Sequence, residues 1–440
     1  MLKKILSVMM SAVLLLSVGA CGSADTPAEP ADHGTSSDAS APESEEPKEP
    51  ITLTLWSQWP SDSDGMKKPL DNVIAAWNEA NPNVQIEVDT INTESYKQKI
   101  KIASSSNELP DIFFSWGAGF AKPFVEAGRV LELTPYIDDT IKNSILPGTL
   151  ENYTYDGKVY GLPSYMWLGV LYCNQKLFDD NGVKVPDTYD ELLTAVEKFK
   201  SVGLTPIECG EKELWTGIQW QNAFALRTAG MEECVKALSK ETSFDTPEFA
   251  QSGQLLADLV SAGAFSDAVM GREEAEAEAN FAQEKAAMIL MGDWAATTFM
   301  AEDSLARDHI TVKNVPSVSG GKDPDVFLGG AIDTFMVSAQ TEHPEESVAA
   351  LKYICENLCR ESYLAGASLP AWKLDVDMSE IDPLTRQITE LSQTASGFML
   401  AWDTFLEGED ADIHLSAVAN LFGGKSNGED FAKAMDKISD

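Results

Sequence analysis

An alternation of strand and helix patterns over residues 51–116 constrains this fold most. Residues 51–56 and 84–88 alternate apolar and polar side chains, and residues 111–116 form a third strand-like run. Apolar residues recur at helical spacing in the two segments between these runs. Strands that alternate with helices predict an α/β lobe with a largely parallel sheet, whose ligands bind beyond the carboxyl ends of the strands.

A second region, residues 165–310, repeats this mixture of strands and helices. Thr188 and Glu191 have the spacing of a capping box that opens a helix, and residues 286–291 form a buried strand. From about residue 382 the chain is predicted to be helical. A chain of 440 residues is too long for one comfortable core, so the sequence predicts two lobes.

The start of the chain has the pattern of a secretory signal. Lys3 and Lys4 precede an apolar run over residues 5–16, which is too short to span a bilayer as a helix. Small residues then precede Cys21, a pattern that resembles a bacterial lipobox. The resemblance implies that residues 1–20 are a leader and that Cys21 is lipidated. An ordinary signal peptide with an incidental cysteine is the alternative.

Residues 21–50 are predicted to form a disordered acidic tether. After Cys21 this segment has no aromatic or large aliphatic residue, so it cannot bury enough surface to offset the entropy of ordering. No run of 18 apolar residues, about the length needed to span a bilayer, occurs later in the chain. We therefore expect a body tethered by lipid to the extracellular face of a cell membrane, in a cell that is Gram-positive.

The net charge of −38 limits the partners of the chain. Such an acidic surface repels the phosphates of nucleic acids and the headgroups of anionic lipids. We therefore expect no nucleic-acid partner, membrane contact through the lipid anchor alone, and a ligand that is neutral or cationic.

The cysteines and histidines do not form a recognisable metal-binding pattern. Five cysteines remain beyond Cys21, an odd number that rules out complete pairing within the chain. Cys355 and Cys359 lie four residues apart on a predicted helix, and we expect a buried apolar pair. The four histidines are scattered, so we predict no metal site and no cofactor. The local motifs of serine hydrolases, P-loop enzymes and zinc proteases are absent, so we predict no catalytic residues.

Several short motifs together resemble the family 1 extracellular solute-binding proteins of carbohydrate ABC transporters, relatives of the maltodextrin-binding proteins. The motifs keep their order and cover roughly residues 51–440. They are residues 77–84 (WNEANPNV), 109–116 (LPDIFFSW), 155–163 (YDGKVYGLP), 186–192 (PDTYDEL), 286–288 with 292–294 (AAM, GDW) and 327–330 (FLGG).

The resemblance implies a two-lobed α/β clamp like the class II periplasmic binding proteins, with the ligand in the cleft between the lobes. The chain would cross between lobes three times, near residues 163–165, 313–316 and 360–370. Lobe 1 would comprise residues 51–163 plus 315–362, and lobe 2 residues 165–313 plus 366–440.

The function implied is that of the lipid-anchored substrate-binding component of a carbohydrate importer. It would capture a neutral oligosaccharide by hinge closure and deliver it to the permease subunits, and we expect a monomer. One alternative is a surface protein that binds glycans or peptides without transport. The other is a glycoside hydrolase, since such enzymes also combine aromatic rings with paired carboxylates.

A sugar site needs aromatic rings for the C–H faces of the sugar and polar side chains for its hydroxyls. Residues that follow predicted strands or adjoin glycines are the best candidates, although each one could instead pack in a core or cap a turn. The first-choice rings are Trp116, Trp294 and Trp402, where Trp294 and Trp402 fall at positions that carry stacking aromatics in the family. The further rings are Trp56, Trp215, Trp220 and Trp372, and the polar candidates are Gln58, Ser115, Asp293, Asp333 and Asp403.

Overall fold

A computed structural model of the chain describes residues 50–62, 64–406 and 408–438. The predicted leader, Cys21 and the predicted tether up to residue 49 lie outside the described residues. The strands of the described part are β1 (Ile51–Ser57), β2 (Val84–Thr90), β3 (Ile112–Trp116), β4 (Thr154–Tyr155), β5 (Lys158–Val159), β6 (Leu162–Pro163), β7 (Trp167–Asn174), β8 (Thr205–Glu208), β9 (Ala286–Gly292), β10 (Ile310–Lys313), β11 (Val326–Gly330), β12 (Asp333–Val337) and β13 (Gly397–Met399).

Helices separate most of these strands. They are α1 (Lys67–Ala80), α2 (Thr93–Ser106), α3 (Ala118–Glu126), α4 (Asp139–Ser144), α5 (Gln175–Asn181), α6 (Tyr189–Ser201), α7 (Trp215–Thr228), α8 (Met231–Leu238), α9 (Pro247–Ala262), α10 (Glu274–Ala282), α11 (Ala296–Phe299), α12 (Pro344–Leu364), α13 (Pro383–Ser392), α14 (Glu409–Phe422) and α15 (Gly428–Met435). Short 3₁₀ turns include Asp293–Ala295 and Trp402–Thr404. Over the described ranges, no helix has both the length and the apolar character needed to cross a bilayer.

The first sheet forms the centre of lobe 1. Its strand order is β2-β1-β3-β12-β6. Strand β1 is parallel to both β2 and β3, whereas β12 runs antiparallel to β3 and to β6. This agrees with the parallel α/β lobe predicted from residues 51–116, to which the later strand β12 adds an antiparallel partner.

The second sheet forms the centre of lobe 2. Its order is β13-β11-β7-β9-β8, and β10 pairs with the far end of β7. All eight residues of β7 are buried, because the strand pairs with β9 on one side and with β10 and β11 on the other. A strand surrounded in this way needs an apolar run and not an alternating one.

The predicted helix start at residue 188 is confirmed. Thr188 Oγ1 accepts a hydrogen bond from the Glu191 amide at 3.3 Å, and the Glu191 carboxylate accepts one from the Thr188 amide. This reciprocal pair satisfies two amides that the first turn of α6 leaves free.

The second predicted crossing between the lobes, at residues 313–316, is wrong. Strand β11 pairs with β7 and β13, so the chain stays in lobe 2 until residues 331–332. The buried Arg227 holds this segment there, since its guanidinium donates to the carbonyls of Val315, Asp323 and Val326. A guanidinium offers five donors to carbonyls far apart in the sequence, a contact that no local pattern predicts.

The third crossing also lies later than the predicted residues 360–370. Trp372 pairs with Ile145, and its indole Nε1 donates to the Pro163 carbonyl at 2.7 Å, so this residue still belongs to lobe 1. The first change of sheet lies between β6 and β7, at residues 163–167.

The segment after residue 382 is less helical than predicted. It contains α13, α14 and α15, but Phe398 lies in β13, and Trp402 and Asp403 lie in a 3₁₀ turn. Strand β13 forms because its backbone pairs with β11, which is distant in the sequence.

The five cysteines of the described residues are buried and unpaired. Burial raises the pKa of the Cys355 thiol to about 12 and that of Cys359 to about 11. Both thiols therefore stay protonated and behave as the small apolar side chains that were predicted.

Candidate functional site

A cavity of about 390 Å³ lies between the two lobes. Lobe 1 contributes the loop after β1, residues of α2 and the end of β3, whereas lobe 2 contributes residues of α7 and α10 and the two 3₁₀ turns. A volume of this size suits a small-molecule ligand. Because both lobes line the cavity, a bound ligand would contact both.

Three strands end at this cavity. Gln58 and Trp59 follow β1, Trp116 is the last residue of β3, and Trp294 comes two residues after β9. The expectation that ligands meet the carboxyl ends of strands therefore describes this geometry well.

Six aromatic rings surround the cavity, and three of them form one wall on lobe 2. The ring of Trp294 lies 5.7 Å from that of Trp167 and 6.1 Å from that of Trp215, measured between centroids. The other three rings are Trp59, Trp116 and Tyr165. Trp116, Trp215 and Trp294 are half-buried, so each keeps ring surface that a ligand can cover.

The orientation of Trp294 depends on two neighbours. Its indole Nε1 donates to Glu274 Oε1 at 3.1 Å, which fixes the polar edge of the ring. Its six-membered ring lies against Gly292, where a Cβ atom would overlap it. The φ of Gly292 is −65°, which any residue can adopt. Glycine is therefore required at this position because of the space that the ring occupies and not because of the backbone conformation.

In the part of the chain that the structure describes, five carboxylic acids line the cavity, and burial raises the pKa of each. They are Asp64, Glu274, Glu278, Asp333 and Asp403. The pKa of Asp333 rises to about 7, so this group titrates near neutral pH. Glu274 and Glu278 lie one helical turn apart on α10, and the charge of Glu278 adds to the burial that raises the pKa of Glu274. A protonated carboxyl both donates and accepts hydrogen bonds, as a sugar hydroxyl requires.

Three buried oxygens on the cavity wall are left without hydrogen-bond partners in the described part of the chain. They are Gln58 Oε1, Gln219 Oε1 and Glu278 Oε1. Buried acceptors rarely lack a hydrogen-bond partner, because burial removes their hydrogen bonds to water and an unpaired acceptor gains none in exchange. A ligand rich in hydroxyl donors would satisfy them. Rings and acceptors together suit a polyhydroxylated molecule with apolar faces.

Several of the residues predicted from the sequence line the cavity: Gln58, Trp116, Trp294, Asp333 and Asp403. Trp215, a further candidate ring, also lines it. These residues come from both lobes, and folding brings them to one cavity.

The other candidates lie elsewhere. Trp402 is fully buried in lobe 2, with its ring centroid 5.5 Å from that of Phe244, and Trp220 is likewise fully buried. Trp56 does not line the cavity, and the Lys99 ammonium lies 3.7 Å from its ring centroid.

Two polar candidates and one further ring are engaged with backbone groups. Asp293 Oδ1 accepts from the Leu168 amide at 3.1 Å, and Ser115 Oγ donates to the Trp116 carbonyl at 3.1 Å. The indole Nε1 of Trp372 donates to a carbonyl of lobe 1, and the residue is buried.

Sequence reasoning missed several wall residues. Trp59 follows β1 and Trp167 opens β7, and both are nearly buried, which the sequence does not show. Glu274 and Glu278 share one face of a helix, a spacing that acidic surface helices also show. For Gln219, which lies on the almost wholly buried α7, the sequence carries no signal of its role.

A buried polar network supports the turn that carries Asp403. Asn222 Oδ1 accepts from the Trp402 amide at 2.9 Å, and its Nδ2 donates to Gln221 Oε1 at 2.8 Å. His414 Nε2 lies 3.2 Å from both Asn222 Nδ2 and Gln221 Oε1. Burial lowers the pKa of His414 to about 3, so the ring is neutral and its tautomer adapts to these partners.

The two lobes touch at the rim of the cavity. A Cβ at Gly65 of lobe 1 would lie 2.8 Å from Thr297 Oγ1 of lobe 2. A Cβ at Gly119, also in lobe 1, would overlap the Phe405 carbonyl of lobe 2. Glycine thus permits a close approach of the lobes at both points.

Comparison with known proteins identifies a family and a shared fold. Residues 61–356 match the family model described as bacterial extracellular solute-binding protein. A protein solved in work on xylan utilization by the thermophilic bacterium Caldanaerobius polysaccharolyticus is 41% identical, with a TM-score of 0.85 over 88% of this chain and 99% of that one.

Two curated relatives are more distant in sequence. An uncharacterized ABC transporter extracellular-binding protein of Pyrococcus horikoshii is 26% identical over 313 residues, which is 70% of this chain and 69% of the relative. The multiple sugar-binding protein of Streptococcus mutans is 22% identical over 360 residues, which is 80% of this chain and 82% of the relative.

Proposed function

Because the chain belongs to the bacterial extracellular solute-binding protein family, we propose that it captures a neutral oligosaccharide for a carbohydrate ABC importer. The observation that carries this proposal is the cavity, which presents aromatic rings from both lobes together with unpaired buried acceptors. Rings stack on the C–H faces of a sugar, and amide and carboxyl groups bind its hydroxyls.

The proposed ligand contacts come from both lobes. Trp116, Gln58 and Asp333 of lobe 1 would bind one side of the sugar, and Trp294 and Asp403 of lobe 2 the other. Such a ligand contacts both lobes most fully when they are close together, so it favours a closed state over an open one. Hinge closure around the sugar is thus part of the proposal.

Xylan-derived oligosaccharides are the first ligand class to test. The support is the 41% identity to the protein studied in connection with xylan utilization, which spans nearly all of the described chain. A neutral pentose chain also suits this cavity, where, among the described residues, five carboxyl groups accompany one ammonium, that of Lys97, and disfavour an anionic ligand.

Binding is tested by titrating the purified protein with xylo-oligosaccharides, malto-oligosaccharides and chito-oligosaccharides. We expect a change in tryptophan emission and a saturable heat for the xylo-oligosaccharides, because Trp116, Trp215 and Trp294 would be covered. A folded protein that responds to no saccharide would contradict the proposal.

A glycoside hydrolase remains the competing function, because carboxyl groups with raised pKa values line the cavity. Prolonged incubation with the bound sugar, followed by chromatography of the products, separates the two. We expect the sugar to be recovered intact, and turnover that disappears in Glu278→Gln would favour the enzyme.

The location and partners are also proposed. We propose an extracellular, monomeric protein, anchored through lipid on Cys21 to the membrane of a Gram-positive cell, that delivers sugar to permease subunits. An anchor on Cys21 and a tether that extends to residue 50 would keep a binding protein at high effective concentration near its transporter. Cys21→Ser should release the protein from the membrane fraction, and deletion of the gene should abolish sugar uptake. Uptake unaffected by the deletion would favour a surface protein without a transport role.

A further inference from the structure

A second chamber of about 600 Å³ adjoins the cavity. It lies between α2 and α3 of lobe 1 and the start of α14 in lobe 2. Lys97, Trp116, Asp403 and Thr404 line both spaces, so the chamber and the cavity are neighbours that meet at these four residues.

Trp116 stands at the junction. Its ring packs edge-on against Phe120 at 4.9 Å and against Phe114 at 5.0 Å between centroids, which holds it in place. The Lys97 ammonium lies 5.4 Å from the centroid of the Trp116 ring. A ligand stacked on Trp116 can therefore extend toward either side of this residue.

The chamber combines polar and apolar side chains. Helix α2 presents a stripe at helical spacing that includes Lys97, Gln98, Lys101 and Ser105. Apolar surface comes from Phe120 and Phe124 of α3 and, in lobe 2, from Leu406, Ala411 and Leu415. Apolar surface beside hydroxyl and amide groups is the combination that a sugar needs.

The charges of the chamber favour a neutral occupant. Among the described residues that line it, the cations are Lys97, Lys101 and Arg129, and the carboxylates are Glu94, Asp403 and Asp412. Glu94 pairs with Lys97 at 3.1 Å, and the charge of Lys97 opposes the rise in the pKa of Asp403. Balanced charge offers little to a strongly anionic or cationic group.

We infer that the ligand passes Trp116 and continues into this chamber, which binds further neutral residues of the oligosaccharide. The inference rests on the proposed function and deepens it, since it names a chain longer than the inner cavity as the preferred ligand. The chamber is bounded by both lobes, so a long chain would also join them more strongly than a short one.

The test is a length series of xylo-oligosaccharides, from the disaccharide to the hexasaccharide, measured by calorimetry on the full chain. We expect the affinity to rise by about tenfold once the chain outgrows the inner cavity, the effect of one favourable stacking contact. Ala411→Phe, which fills the chamber from lobe 2, should abolish the gain and leave the disaccharide affinity unchanged.

Two further variants keep the test interpretable. Ser105→Phe fills the chamber from α2 and should have the same effect as Ala411→Phe. Either variant can therefore serve if the other does not fold. Ser416→Phe lies on α14 outside the chamber and should behave like the wild type.

The outcomes separate this inference from the proposed function. An affinity that does not change with length, or a gain that survives both filling variants, would overturn the second chamber and leave sugar binding intact. Equal weakening of short and long chains by the filling variants would also overturn it. If no saccharide of any length binds, the proposed function fails and the chamber fails with it.

Discussion

Two turns of lobe 2 carry the same pair of residue types in opposite order. In the first turn, Asp293 precedes Trp294, and in the second, Trp402 precedes Asp403. Trp294 lines the cavity and Asp293 is buried behind it, whereas Asp403 lines the cavity and Trp402 is buried. Proximity of a tryptophan to an acid therefore marks the turn that reaches the cavity, but it does not identify the residue that faces it.

The physical difference lies in what covers each tryptophan. Trp402 packs on Phe244, Phe249 and His414, with ring centroids 5.4 to 6.0 Å away. Trp294 packs on two tryptophans that themselves line the cavity, and it stays half-exposed. Truncation of the Trp402 ring should therefore act on stability, and truncation of the Trp294 ring on ligand binding.

The largest effect is expected for Trp402→Ala. Loss of this fully buried ring should lower the free energy of unfolding by about 3–5 kcal/mol, because a cavity remains in the core. Chemical denaturation measures it, and Trp402→Phe should lose less. If Trp402→Ala kept its stability but lost sugar binding, Trp402 would belong to the binding site. The proposed difference between Trp402 and Trp294 would then be wrong.

Trp294→Ala should act mainly on binding. We expect the oligosaccharide affinity to fall by about 2 kcal/mol, roughly thirtyfold, because a central stacking ring is removed. The stability loss without ligand should be smaller than for Trp402→Ala. A variant that binds sugar like the wild type would show that Trp294 is not a stacking residue.

Gly292→Ala tests the space that Trp294 needs. The added Cβ would push the indole ring from its position, and we expect affinity to fall by about 1.4 kcal/mol, or tenfold. Gly271→Ala is the matched control, because among the described residues nothing lies within 4 Å of a Cβ added there. Equal binding by both variants would contradict the packing argument.

The smallest effects are expected for the two aspartates. Asp403→Asn should weaken binding by about 1 kcal/mol through a changed hydrogen bond to the ligand, whereas Asp293→Asn should leave the affinity unchanged.

Burial raises the pKa of Asp293 well above its usual range. The native protein is therefore destabilised through Asp293 as the pH rises above about 4 toward the raised pKa, and Asp293→Asn should remove that part of the decline.

Thermal unfolding of wild type and Asp293→Asn at acidic and neutral pH provides the comparison. Asparagine can still accept the hydrogen bond from the Leu168 amide, so the variant should fold. If the variant lost stability more steeply than the wild type as the pH rises, the result would contradict this prediction.

Much of lobe 1 and the helix starts of lobe 2 are predictable from sequence, because local patterns determine them. The alternation of β1 makes one of its faces apolar, and Thr188 caps α6 through residues three positions away. The crossing after β11 was not predictable, because it depends on Arg227, whose partners lie about 90 residues further along the chain.

For the binding residues, the sequence by itself determined that the segments after β1, β3 and β9 reach the cavity, since the ends of those strands follow from local periodicity. The tertiary structure alone decided that Trp294 and Asp403 face the cavity while Asp293 and Trp402 are buried. The reason is that each turn is held by distant groups: the Leu168 amide binds Asp293, and the Asn222 side chain binds the Trp402 backbone. In both turns the residue that faces the cavity is the neighbour of one buried in the core, and packing against residues far apart in the sequence makes that choice.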